Sequence, residues 1–177
     1  PGSDTIWVTV EERDELGDDL AADYFTHIEQ GGFYGWPYAY LGPNEDPRRK
    51  GENPTLVAKT TKPDVLLGAH SSALGFAFYT GKMFPSQYQG GAFIALHGSW
   101  NRASRQGYEI AYLPFANGKP SGPMQHFLTG WMLAPDGERT AVRFEGSPRL
   151  SVNNGGAVRD ALLKSLGAGL LPLVVAQ

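Results

Sequence analysis

Two apolar runs, Gly91-Ala-Phe-Ile-Ala-Leu96 and Tyr108-Glu-Ile-Ala-Tyr-Leu113, flank the polar and aromatic segment His97-Gly-Ser-Trp-Asn-Arg102. Short runs rich in β-branched and aromatic residues and bounded by glycine read as strands. The pattern recurs in Thr5-Ile-Trp-Val-Thr-Val10, which alternates. Residues 65–79 read as two short strands meeting near His70, and residues 123–131 as a further strand. Turn signals lie between the runs, in Gly31-Gly-Phe-Tyr-Gly-Trp-Pro37 and Asn117-Gly-Lys-Pro120. With 23 glycines and 13 prolines in 177 residues, turns are frequent, so the expected class is all-β: a sandwich, barrel or propeller. Residues 21–29 are expected to form a short helical turn and 41–62 a long polar loop. Residues 142–144 and 150–152 are expected to form a hairpin, and 160–166 has weak helical character.

Charge and composition exclude several functions. The formal net charge is −3 and the basic residues are scattered, which gives no footprint for nucleic acid or an anionic membrane. The sequence has no cysteine, which removes disulfides and thiolate metal sites. No apolar run is long enough to span a bilayer, so no membrane span is expected. Carboxylates concentrate after the first strand, at Glu11, Glu12, Asp14, Glu15, Asp18 and Asp19, with Arg13 among them.

The segment 97–102 places imidazole, indole, amide and guanidinium groups at a strand end. That mixture suits a flat, anionic, hydrogen-bonding ligand. Five motifs then occur in a fixed order: Glu12-Arg-Asp-Glu-Leu-Gly-Asp-Asp19, Gly31-Gly-Phe-Tyr-Gly-Trp-Pro37, Leu67-Gly-Ala-His-Ser-Ser-Ala-Leu-Gly75, Gly90-Gly-Ala-Phe-Ile-Ala-Leu-His-Gly-Ser-Trp-Asn-Arg102 and Phe127-Leu-Thr-Gly130. Together they resemble the glucose/sorbosone dehydrogenase family, the soluble pyrroloquinoline quinone (PQQ)-dependent sugar dehydrogenases.

The resemblance implies an all-β fold, a partial six-bladed β-propeller of four-stranded antiparallel blades. The chain corresponds to the C-terminal half, with 1–157 the propeller part and 158–177 an atypical tail. It implies PQQ and Ca²⁺ as cofactors, a sugar substrate (an aldose or a sugar aldehyde such as sorbosone), a quinone or cytochrome electron acceptor, and a periplasmic or secreted location. The family's base histidine would precede residue 1, so no catalytic residue is assigned. Arg13, His70, Asn101 and Arg102 are the expected cofactor contacts: the guanidinium groups for PQQ carboxylates, the amide for a quinone oxygen, and the imidazole for cofactor or sugar. Glu12 and Asp14 are the expected calcium ligands, while Glu15, Asp18 and Asp19 read as a solvated face. Trp36 and Trp100 are expected to pack, and His97 to be a buried, hydrogen-bonded histidine. The competing readings are a non-catalytic or decayed propeller fragment and a carbohydrate-binding module.

Overall fold

Alternating apolar runs resolve into two antiparallel sheets in the computed structural model, which describes residues 4–132. The first sheet has the strand order β1 (Trp7–Val10), β2 (Ala22–His27), β5 (Val65–Ala69). The second is a four-stranded sheet in which β6 (Ala73–Phe78), β7 (Ala92–Leu96), β8 (Glu109–Leu113) and β11 (Gln125–Leu128) follow one another in space as in sequence. A four-stranded antiparallel meander packed against a second sheet fits the expected partial propeller.

The period-two pattern sets which face is buried. In β7, Ala92, Ile94 and Leu96 point inward, and Ala111 and Leu113 of β8 join them. They meet Phe25 and Leu67 of the first sheet in one core. Phe25 is fully buried, stacks on Trp7 at 4.9 Å between ring centroids, and meets Phe76 edge-on at 4.8 Å. Burying such a ring contributes roughly 1.5–3 kcal/mol before its entropy is counted. On the opposite face of the second sheet, Phe93, Tyr112 and Phe127 pack with Phe84 and Tyr88 from the β6–β7 connection.

Between β2 and β5 the chain makes a compact excursion. It contains the two-residue strands β3 (Ala39–Tyr40) and β4 (Asn44–Glu45), a 3-10 turn (Pro47–Arg49) and helix α1 (Pro54–Ala58). Asp46 caps the 3-10 turn by accepting from the Arg48 amide at 2.9 Å, and Asn53 caps α1 through the Leu56 amide at 3.3 Å. The long polar loop expected over 41–62 is therefore largely structured, because Asp and Asn each sit just ahead of a Pro that opens a turn. The excursion also returns to its own start, with the Thr61 amide donating to Phe33 O at 2.7 Å.

The expected helical turn over 21–29 is instead strand β2. Its Tyr24, Phe25 and Thr26 alternate across the sheet, and both neighbouring strands supply the hydrogen bonds that a helix would have made internally. The Asn117-Gly118 turn forms as expected, joining β9 (Phe115–Ala116) to β10 (Lys119–Pro120) with φ of +53° and +75°. The hairpin expected over 142–152, the helical segment 160–166 and the tail 158–177 lie outside the described residues. Among the described residues no helix is long and apolar enough to cross a membrane.

Candidate functional site

The loop that leaves β1 and the turn at 33–36 enclose a cleft of about 730 Å³, lined by Glu12, Arg13, Asp14, Tyr24, Trp36 and Arg48 among others. Its walls are fixed by backbone geometry. Gly35 has φ +117°, and a Cβ there would lie 2.3 Å from Ala39 O, so the turn closes only with glycine. The Tyr38 and Ala39 amides both donate to Gly35 O at 2.8 Å. On the other wall, the Glu12 amide donates to Asp23 Oδ1 at 2.9 Å.

Asp23 is fully buried on β2 and holds two loops at once. Its second oxygen accepts from Ser71 Oγ at 3.1 Å and from the Ser72 amide at 2.7 Å. These bonds anchor the β5–β6 turn, where His70 and Ser72 adopt φ of +60° and +55°. Non-glycine residues rarely take that conformation unless their surroundings impose it. Burial pushes the Asp23 carboxyl above its ordinary pKa despite those hydrogen bonds. Burial also raises Glu12, against the opposing Arg13 amide, and pushes Tyr24 up to about 12.

Arg13 is the most deeply buried cation of the cleft, with 5% of its side chain exposed. Its Nε lies 3.1 Å from Asp46 Oδ2, yet neither Nε nor Nη1, both buried, meets a well-directed hydrogen-bond acceptor. Buried guanidinium nitrogens are seldom left so. Asp46 carries a second cation, accepting from Arg48 Nε at 3.3 Å and Nη2 at 3.2 Å. Burial alone would raise the Asp46 carboxyl; the Arg48 hydrogen bonds and the charges of Arg13 and Arg48 outweigh it and hold it below the usual carboxylate range. Arg48 in turn lies 5.7 Å from the Trp36 ring centroid.

The other expected site residues cluster on the far side of the same loop. His70 Nε2 faces Gly17 O at 2.9 Å, and its Nδ1 lies 3.1 Å from Asp14 Oδ1. Asn101 Nδ2 donates to the same Asp14 oxygen at 2.5 Å and lies 3.3 Å from His70 Nδ1. Arg102 donates through Nη1 to Asp18 O and through Nη2 to Asp19 Oδ1 at 3.1 Å. The structure thus brings Asp14, His70 and Asn101 into one contact group, while Arg102 holds the same loop further along, at Asp18 and Asp19. Arg13 and Asp14 both line the cleft, and Asp14 also reaches His70 and Asn101. His70, Asn101 and Arg102 do not line that cleft.

Four expectations need correction. Trp36 does not pack: it is 67% exposed and lines the cleft. Trp100 is 66% exposed, projecting from the β7–β8 connection. His97 is half-buried rather than buried, and its ring has no hydrogen-bond partner among the described residues. Asp18 and Asp19, read as a solvated face, engage Arg102. Sequence reasoning also passed over Asp46, whose position 33 residues beyond Arg13 lies inside a loop with no chemical motif. Its Asp-Pro turn was the one local signal.

Part of the chain is similar to known proteins, among them a PQQ-dependent dehydrogenase. Residues 45–132 match the TrAA12-like family model. The chain is 34% identical over 79 residues to a pyrroloquinoline quinone-dependent pyranose dehydrogenase of Coprinopsis cinerea, covering 42% of this chain and 10% of that protein. It is 38% identical over 117 residues to an uncharacterized protein of Borreliella burgdorferi, covering 64% of this chain and 30% of that one. A solved structure of a carbohydrate-active enzyme of family AA12 from Trichoderma reesei shares the fold, with a TM-score of 0.56 at 23% identity over 75% of this chain and 41% of the other. The chain spans less than a third of the curated relatives it matches.

Proposed function

We propose that this chain is part of a PQQ-dependent sugar dehydrogenase and that the cleft between loop 11–15 and turn 33–36 receives the cofactor. The observation that carries this reading is Arg13: a buried guanidinium on the cleft, with a nitrogen that no acceptor among the described residues fills. A ligand carboxylate could give the buried Nη1 the acceptor that Asp46, 3.1 Å from Nε, does not supply. The exposed indole of Trp36 on the opposite wall offers a flat apolar surface to a fused ring system. A planar molecule bearing several carboxylates matches both features.

In this reading Arg13 binds and orients a cofactor carboxylate, and Asp46 keeps the guanidinium in place. Trp36 covers one face of the ring and excludes water from it. Tyr24, held protonated far above neutral pH, is a hydrogen-bond donor on the cleft wall. When bound, the quinone supplies the two-electron chemistry that oxidises the sugar. The base that removes the sugar proton comes, by the family resemblance, from outside residues 1–177. The proposed substrate is an aldose or sugar aldehyde such as sorbosone, the proposed acceptor a quinone or cytochrome, the proposed location periplasmic or secreted, and the proposed whole a six-bladed propeller.

Calcium fits less well. Glu12 and Asp14 both line the cleft and are the proposed oxygen donors. The described residues contain no group of three or more ligating side chains placed to hold a metal, whereas calcium takes six to eight oxygens. No step here uses the ion.

The test is titration of PQQ into the chain, read by tryptophan fluorescence. Saturable quenching that Arg13→Met weakens by about a hundred-fold is expected, because a charge-assisted bidentate contact is lost. Equal binding by the two proteins would remove the cofactor from this cleft. The exposed Trp36 and Trp100 favour one competing reading, a carbohydrate-binding module. Saturable glucose binding without any response to PQQ would select it.

A further inference from the structure

The cofactor cleft is built on the first sheet, yet the loop that carries Arg13 is tied down by the second. We propose that His70, Asn101 and Arg102 are positioning residues: they latch loop 14–19 to the second sheet and thereby set where Arg13 points. This inference rests on the cofactor reading for its consequence, though the latch itself does not.

Most contacts of this group fall on one loop, at residues 14, 17, 18 and 19. Asp14 is held by His70 at 3.1 Å and Asn101 at 2.5 Å. Gly17 O is held by His70 at 2.9 Å. Asp18 accepts from the Ala103 amide at 2.9 Å and, through its carbonyl, from Arg102; Asp19 accepts from Arg102 at 3.1 Å. The partners all come from the β5–β6 turn and the β7–β8 connection. Those two segments are themselves joined, because the Gly98 amide donates to Ser71 O at 2.8 Å and the His97 amide to Ser72 O at 2.9 Å. The platform is therefore rigid, and the loop is the part that would move.

The loop has little to hold it otherwise. It has no regular secondary structure, and Glu15 and Asp19 are exposed while Asp18 is half-buried. A segment with so few buried apolar contacts opens at low free energy unless polar contacts close it. His70 has both ring nitrogens directed at the loop, which leaves neither for a ligand. Arg102 likewise directs Nε to Ser104 O at 2.9 Å and both terminal nitrogens to Asp18 and Asp19. These side chains therefore act on the cleft through the loop and not by contact.

The experiment uses the full 177-residue chain with Asn101→Ala, Arg102→Ala and both together. Three readouts are taken: hydrogen exchange of amides 13–19, the Arg13 Nε–H resonance, and PQQ affinity. The double variant is expected to raise exchange in 13–19 by about ten-fold or more while β7 and β8 stay protected. It should shift or broaden the Arg13 resonance and weaken PQQ binding by about ten-fold. Asp19→Asn, which keeps an acceptor for Arg102, should stay near wild type, and Asp19→Ala should move part of the way to Arg102→Ala. Unchanged exchange and an unchanged Arg13 resonance in the double variant would overturn the latch. A freed loop with unchanged PQQ affinity would overturn the positioning role. If the wild-type chain fails to bind PQQ, the cofactor reading falls, while exchange and the Arg13 resonance still decide the latch. Should the double variant fail to fold, Asp19→Ala, a change at a side chain 90% exposed, carries the same comparison.

Discussion

Removing Asp46 should damage this protein more than removing Arg13, its partner. Both side chains are buried, at 2% and 5% exposure. Asp46→Ala strands the Arg13 guanidinium, which already has nitrogens without a well-directed acceptor. Breaking a buried pair from one side costs about 3–5 kcal/mol, because the remaining charge cannot regain its hydration. Arg13→Met removes the charge and keeps most of the apolar stem. Asp46 then retains Arg48, whose amide, Nε and Nη2 lie at 2.9, 3.3 and 3.2 Å. That change should cost about 1 kcal/mol or less, since replacing a buried ion by an apolar side chain of similar size is often neutral. Urea denaturation of the purified chain measures both, with equal m-values required for the comparison. The double variant is the sharper test: it should be about as stable as Arg13→Met alone, a strong non-additivity expected of residues in direct contact. Additive losses, or Asp46→Ala less destabilised than Arg13→Met, would refute the reasoning.

Other consequences follow from the same geometry. Asp64 is held below its ordinary pKa because, against burial, the His27 amide and ring at 2.9 and 2.6 Å and the Thr26 hydroxyl at 2.8 Å favour the carboxylate. A depressed folded pKa contributes stability that is complete above the unfolded value of about 3.9 and is lost as pH falls through the folded value. Asp64→Asn should therefore flatten the acid limb of a stability–pH profile below about pH 4, and an unchanged limb would count against the pairing. Glu12 has the opposite sign: burial raises it, so its ionisation costs stability as pH rises above about 4.3. Glu12→Gln should be more stable than wild type at pH 7 and indistinguishable below about pH 4, as melting at the two pH values would show. Gly35→Ala, with φ +117° and a Cβ 2.3 Å from Ala39 O, should cost more than about 2 kcal/mol in urea and weaken PQQ binding.

The second sheet was the most legible part of the chain. The apolar runs at 91–96 and 108–113 read as two strands and Asn117-Gly118 as a turn, and the structure has the two strands paired antiparallel, with the turn after them. β2 was misread because Ala21-Ala22 suggests helix, while the features that decide the matter, Asp23 held by Ser71 and Ser72 and Phe25 under Trp7, are distant in sequence. The site shows the same division. Chemistry-rich residues stand at 12–14, 70 and 101–102, and three of them, Asp14, His70 and Asn101, meet in one group. Local sequence could not show that Asp14 would engage His70 and Asn101 while Arg13 engages Asp46. Nor could it show that the partner of Arg13 is Asp46, since that pairing depends on how the excursion between β2 and β5 folds back.

This division explains why the loop is so acidic. Glu11, Glu12, Asp14, Glu15, Asp18 and Asp19 fall within nine residues, and left alone they would repel and extend the segment. In the fold they are sorted by direction. Asp14, Asp18 and Asp19 face His70, Asn101 and Arg102, Glu15 faces Arg48 at 3.5 Å, and Glu12 stays beside Arg13. The carboxylates on one side hold the loop to the second sheet, and Asp46 holds Arg13 from the excursion on the other. The two sets of contacts pull in opposite directions on adjacent residues. Loop 12–15 is thereby fixed without a helix or strand of its own, and a buried cation can face an open cleft without collapsing onto the acids beside it.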